Sequence, residues 1–281
     1  ATSPQQWKSF TTDQIPAFTT AQFSKLSTAG AAILNSEQLS VLNTSQLANL
    51  STSQIAVLAT SALAGLGSSL VQALRTDQVQ AMSSAQWRAF NSDQIPSLTS
   101  AQIPKLETDD LSAWSQSHFN ALTTEQVGFL TNSQLSALSN TTLSWITFDQ
   151  IAALTSLQIS AFTTAQFASM STEQISALTS LQALGMATDD LAALTTNQIR
   201  ALQVDFVTAL SSSKLRSLTT DQVNALLTDQ LADLTSSQIN GLTSSQVTAL
   251  RTNQLQALST EQMAGFEAED IIGLDRKSTR L

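Results

Sequence analysis

The chain is expected to be all-α, an α-solenoid of very short capped helices with one helix in every eight residues. Three observations predict it. An apolar residue recurs at every eighth position from Phe10 to Leu274, and a Ser or Thr stands three residues before a Gln in most units. Glycine is scarce, 8 in 281 residues, while Ala, Leu and Gln are abundant, which favours helix over a fold needing a tight turn in every unit.

The first unit reads Phe10-Thr11-Thr12-Asp13-Gln14-Ile15-Pro16-Ala17, and its positions are labelled a to h. Residues 10–273 hold 33 consecutive octads. Position a is large and apolar in all of them, and f is apolar throughout, weakest at Ala31 and Ala183. Thr and Ser dominate b and c, Gln dominates e, and Ala, Gly and Ser dominate h. Residues 2–9 are a worn extra copy, marked by Gln6 and Trp7.

A period of eight suits no long element. On a continuous helix the apolar stripe would drift by about 80° per unit, and on a continuous strand a and f would face opposite sides. The chain must therefore break within each octad. Thr or Ser at b with Gln at e forms a capping box, as in Thr11 with Gln14, Ser171 with Gln174 and Thr219 with Gln222. A short helix from about c to the next a follows, placing f and a on one face. Helices this short do not stand alone in water, so stacking of the a and f rows must hold them, with two octads expected in each layer.

Pro16, Pro96 and Pro104 fall at g, inside the expected helix, and require an irregular or 3₁₀-like turn there. A β-solenoid is the alternative fold, suited by Thr, Ile and Val but not by the scarcity of glycine. Residues 61–74 are poorer in Gln and contain Gly65 and Gly67. Because Leu66 and Leu74 keep the frame, that stretch reads as a degenerate patch and not a hinge. The expected organisation is one continuous solenoid over residues 1–274, a fragment of a longer array, since the chain begins in mid-repeat.

Residues 275–281 abandon the repeat. Their sequence, Asp-Arg-Lys-Ser-Thr-Arg-Leu, matches in all seven residues the translation of a common sequencing adapter, and is expected to be foreign to the natural protein. The formal charge is −9, and without the tail 9 basic residues would face 20 acidic ones. Such a surface is a poor partner for nucleic acid. No run of about twenty apolar residues exists, so no membrane insertion is expected.

A longer period overlies the octad. Thr108-Asp109-Asp110-Leu111, Thr188-Asp189-Asp190-Leu191 and Glu269-Asp270-Ile271 replace Gln by Asp at intervals of 80 residues, and residues 6–16 resemble residues 86–96 at the same spacing. The pairs Asp109/Asp110 and Asp189/Asp190 raise the possibility of a hard-cation site, but lack the clustered ligands and glycine turn of a calcium loop. Acidic residues at a helix start need no ion. No metal or cofactor is expected.

The single histidine, His118, occupies position e and reads as a polar replacement for Gln, with no nucleophile or orienting partner evident. Trp7, Trp87 and Trp114 sit at a or f and belong to the expected core, whereas Trp145 sits at h, normally a small position. Neither a phosphate-cradling loop nor a Cys/His set occurs, so no catalytic or cofactor-binding residue is assigned and an enzyme is not expected.

The Leu-Thr-Thr-x-Gln-Ile/Val-x-Ala-Leu unit, as in residues 218–226 and 242–250, resembles low-complexity repeats of large bacterial surface or secreted proteins of the adhesin and haemagglutinin-like kind. That resemblance implies an extracellular or cell-surface spacer, stalk or adhesive array, with neighbouring repeats and an unidentified protein or surface as its partners. The Leu-Thr-x-x-Gln-Val segment also resembles the opening helix of transcription activator-like effector repeats, which would imply nucleic-acid binding. Octads leave no room for the base-reading loop of those repeats, and the charge opposes it. A scaffold that binds a protein or peptide through its d and g columns is the other expectation, and a contiguous apolar patch in those columns would favour it.

Overall fold

The computed structural model describes residues 3–278, with side chains through residue 274. The side chains of residues 275–281, the expected foreign tail, lie outside the described residues.

Local chemistry sets the path of each octad. At Thr219 the backbone is extended (φ −69°, ψ 161°), and its Oγ1 accepts from the Gln222 N–H at 3.2 Å while its own N–H donates to Gln222 Oε1 at 2.8 Å. The helix Thr220–Ala225 follows and stops at Leu226, where the backbone is extended again. Leu226 still donates its N–H to Val223 O, so the chain leaves the helix with that donor satisfied. The same sequence of cap, short helix and extended exit recurs along the chain, in helices such as Thr131-capped Asn132–Ala137, Phe148–Ala153 and Thr164–Ser169. No strand occurs among the described residues, which sets aside the β-solenoid.

The proline octads adopt the tighter form their sequence demands. Pro16, Pro96 and Pro104 lie in the 3₁₀ turns Ile15–Ala17, Ile95–Ser97 and Ile103–Lys105. Residues 61–74 likewise open with a 3₁₀ segment, Thr60–Gly65, yet Leu63, Leu66, Val71 and Leu74 remain buried.

Two compact units make up the chain, Ala1–Leu138 and Ser139–Leu281. Within each, a helix packs against the helix three octads further on: Thr52–Ala56 against Thr76–Ala81 in the first, and Thr196–Ala201 against Thr220–Ala225 in the second. Side-chain bonds reach one octad beyond that, spanning 28 to 31 residues. The expectation of two octads per layer is therefore corrected. Three to four octads complete each turn of the coil, because a unit this short turns the chain too little for two of them to close a layer.

The interior of each unit is lined by the a and f side chains. Ile15, Leu47, Ile55 and Trp87 are fully buried in the first, and Ile151, Phe167, Ile199 and Val223 in the second. Small residues at h let successive turns approach. At Gly65 a Cβ would strike the backbone carbonyl of Ser36, and at Gly185 that of Ser156, so both positions require glycine for contact and not for an unusual φ.

Candidate functional site

The main polar constellation is the glutamine column, and its geometry goes beyond capping. Gln78 Oε1 accepts from the Arg75 N–H at 2.8 Å, while its Nε2 donates to Leu47 O at 3.0 Å and Leu50 O at 2.8 Å. Gln222 repeats this on Leu191 O and Leu194 O at 2.8 and 2.7 Å. One buried amide thus starts its own helix and satisfies two carbonyls at the end of a helix four octads earlier. These interior glutamines are buried, and each forms a rung that ties one turn of the coil to the next. The Pro96 and Pro104 octads keep it: Gln94 still donates to Leu63 O and Leu66 O, both at 2.8 Å, and Gln102 to Val71 O and Leu74 O.

Substitutions in the column show what a rung demands. His118 reproduces both roles of Gln. Its Nδ1 accepts from the Ser115 N–H at 2.9 Å and its Nε2 lies 2.6 Å from Phe90 O, an arrangement that assigns the proton to Nε2. With both ring nitrogens engaged and the side chain buried, it is held as a structural donor and acceptor. Lys214 keeps only the donating half, with Nζ at 2.7 Å from Ala183 O and 3.0 Å from Leu184 O. Partial burial lowers its pKa below the usual lysine value.

The acidic pairs divide their tasks. Asp109 and Asp189 are exposed, whereas Asp110 and Asp190 are buried. Asp110 accepts from the Glu107 N–H and from Ser84 Oγ, each at 2.9 Å. Asp190 accepts from the Ala187 N–H at 3.1 Å and from Thr164 Oγ1 at 2.8 Å. In these rungs the e residue only accepts, so the polarity of the link between turns is reversed. Burial raises the Asp110 pKa, against the lowering effect of the hydrogen bonds from Glu107 and Ser84. Pattern alone placed these acids at helix starts, and their hydroxyl partners 26 residues back have no signature in the octad itself.

Trp7, Trp87 and Trp114 are buried in the core, and Trp145 is half-buried. The surface feature missed by sequence reasoning is a group of leucines in the second unit. Leu157 and Leu181 occupy d and Leu184 occupies g, with 66%, 73% and 68% of their surface exposed. The helix Ser156–Ile159 packs against the 3₁₀ turn Gln182–Leu184, so these leucines sit on adjoining elements. The signal was present, since Leu in columns normally filled by polar or small residues marks an exception. In the same unit an open groove of about 540 Å³ is lined by residues including Phe148, Ala152, Ser176, Val204 and Asp205.

A family model described as ALTTAQ repeat matches residues 71–108, 103–140, 143–180 and 207–236. Its first two matches start 32 residues apart, the same four octads that separate a rung glutamine's helix from the helix it secures. A search of curated proteins finds no match.

Proposed function

We propose that this tandem array of ALTTAQ repeats is a structural spacer or adhesive region of a large bacterial extracellular protein, and that it performs no catalysis. The observation that carries this reading is the commitment of reactive side chains to the rungs. His118 has both nitrogens engaged, Lys214 donates to carbonyls and Asp110 caps a helix, so these three titratable side chains of the e column hold the coil together. An array in which turn after turn is tied to the next mainly by the same glutamine bonds suits a role that is mechanical and repetitive. Recovery of the complete parent gene tests it. An export signal with a surface anchor or adhesive domain in the same reading frame is the expected result, and a directly fused catalytic domain without an export signal would overturn it.

A second reading, a scaffold for an apolar protein segment, is favoured by Leu157, Leu181 and Leu184, which place an apolar patch in the columns left free for specificity. Titration with a panel of amphipathic helical peptides checks it. If none binds more tightly than to a variant carrying Leu157→Gln and Leu181→Gln, the scaffold reading fails.

A further inference from the structure

We infer, resting on the scaffold reading above, that the apolar face of the second unit receives a basic amphipathic helix of a partner protein. The apolar side chains of that helix lie on Leu157, Leu181 and Leu184, and its Lys or Arg side chains lie over Asp149, Glu173 and Asp205.

The apolar part of the face follows from the stacking. Leu157 and Leu181 stand at position d three octads apart, and Ser156–Ile159 packs against Gln182–Leu184. Gly185 lets the two approach, since a Cβ there would strike the Ser156 carbonyl. Gln182–Leu184 packs in turn against Val204–Thr208, whose Val204 and Asp205 line the open groove. Ser180, next to Leu181, lines it too, and so does Phe148, which is 51% exposed. Leucines and groove are thus parts of one surface carried by elements in mutual contact.

The charge of that surface is one-sided. No Lys or Arg stands between Lys105 and Arg200. Asp149 and Glu173 are exposed on Phe148–Ala153 and Thr172–Ser176, two helices that pack together and supply Phe148, Ala152 and Ser176 to the groove. Asp205 adds an exposed carboxylate from Val204–Thr208. Among the described residues none of these three acids is paired with a cation. Basic side chains enter with the next turn, at Arg200 and Lys214, and Lys214 is already engaged with Ala183 O and Leu184 O.

Those carboxylates select the occupant. A second copy of this chain would set the same acids against one another across a symmetric contact, whereas a segment with an apolar stripe flanked by cations meets both features. The form of the segment follows from what the face offers. No strand occurs among the described residues, so an extended peptide finds no sheet edge to join. A polyproline segment needs a groove walled by aromatic rings, and of the residues lining this one Phe148 alone is aromatic. An open groove of about 540 Å³ beside an apolar ridge suits an amphipathic helix.

Fluorescence anisotropy of the full chain with three labelled peptides of about 18 residues, five helical turns, tests this. One is a Leu/Lys amphipathic helix, the second carries Glu in place of each Lys, and the third scrambles the first so that no apolar face forms. The Leu/Lys helix should bind at least tenfold more tightly than either of the others and weaken as salt is raised. Asp149→Asn with Asp205→Asn should weaken it at least threefold at an unchanged melting temperature, since both side chains are exposed. Equal binding of the Leu/Lys and Leu/Glu helices, both lost with Leu157→Gln and Leu181→Gln, overturns the inference while the scaffold reading stands. Binding that the leucine variant leaves unchanged defeats both. The inference also fails if the Leu/Lys helix does not bind, or if the scramble binds as tightly, which would reduce the effect to attraction between a cation and an acidic chain. Concentration-dependent dimerisation that the leucine variant abolishes overturns it too, by assigning the face to a second copy.

Discussion

Residues 219–262 and residues 61–74 follow the same octad path with very different polar chemistry. In the first stretch Gln222, Gln230, Gln238, Gln246, Gln254 and Gln262 all donate to carbonyls 28 to 31 residues back. In the second, Ala62 and Leu70 occupy the same position, and neither Thr60–Gly65 nor Ser68–Ala73 has a side-chain cap. Even so, Leu63, Leu70 and Val71 are as buried as Val223 and Ile239. The apolar rows thus keep the frame where a stretch has no glutamine of its own, while its carbonyls still receive Gln94 and Gln102 from later octads. The rungs add local strength, and they fix which turn lies against which.

The largest expected effect would break this comparison if it differed between the stretches. Leu63→Ala and Ile239→Ala each remove a buried f side chain and should cost about 2–5 kcal/mol, measured by urea denaturation. Similar losses at the two sites would support a shared apolar basis. A loss confined to Ile239 would show that the stretch without its own glutamines is held mainly by the rungs it receives from Gln94 and Gln102.

An intermediate effect isolates the rung. Gln230→Leu leaves Ile199 O and Leu202 O without their amide donor and the Leu227 N–H without its acceptor, and should cost about 1–3 kcal/mol. The opposite change, Lys214→Gln, restores an acceptor for the Ser211 N–H and removes a partly buried charge, and should raise stability by about 0.5–1.5 kcal/mol. Urea midpoints of the two variants, shifted in the same direction, would refute the idea that the column works by bridging.

Much of this was legible because it is local. A Thr and a Gln three residues apart, as at Thr219 and Gln222, specify a cap wherever they occur, and proline at g specifies a tighter turn. What the pattern could not reveal was the destination of Gln Nε2, since its acceptors at Leu191 and Leu194 become neighbours only once the number of octads per turn is set. That number follows from small angular changes at each extended exit, such as Leu226, and no single residue encodes it. His118 was legible as a replacement for Gln, but its paired donor and acceptor roles were not. The divided acidic pairs follow the same rule, because Ser84 and Thr164 find their carboxylates only through the stacking.

The smallest expected effect is a pH dependence at the reversed rung of Asp110. Its folded pKa is raised above 3.8 by burial, so the protonated form is the one the fold favours. The resulting stability is fully present below the unfolded value and is lost as pH rises through the folded value. Asp110→Asn has no charge to bury, so its melting temperature should gain on that of the parent chain as pH rises from about 3 to 7. A constant difference across that range would mean that Asp110 does not titrate differently on folding.

The fixed reach of each rung also governs how such an array can change its length. A rung glutamine such as Gln222 finds its acceptors 28 and 31 residues back, so removing eight residues gives each affected glutamine a new but chemically equivalent pair of carbonyls. Loss of a single residue instead puts the wrong atoms opposite every amide whose span crosses the cut. Copying errors in whole octads are therefore tolerated while smaller ones are penalised over a full turn of the coil, and a gene of this kind can grow or shrink in steps of eight without losing its fold.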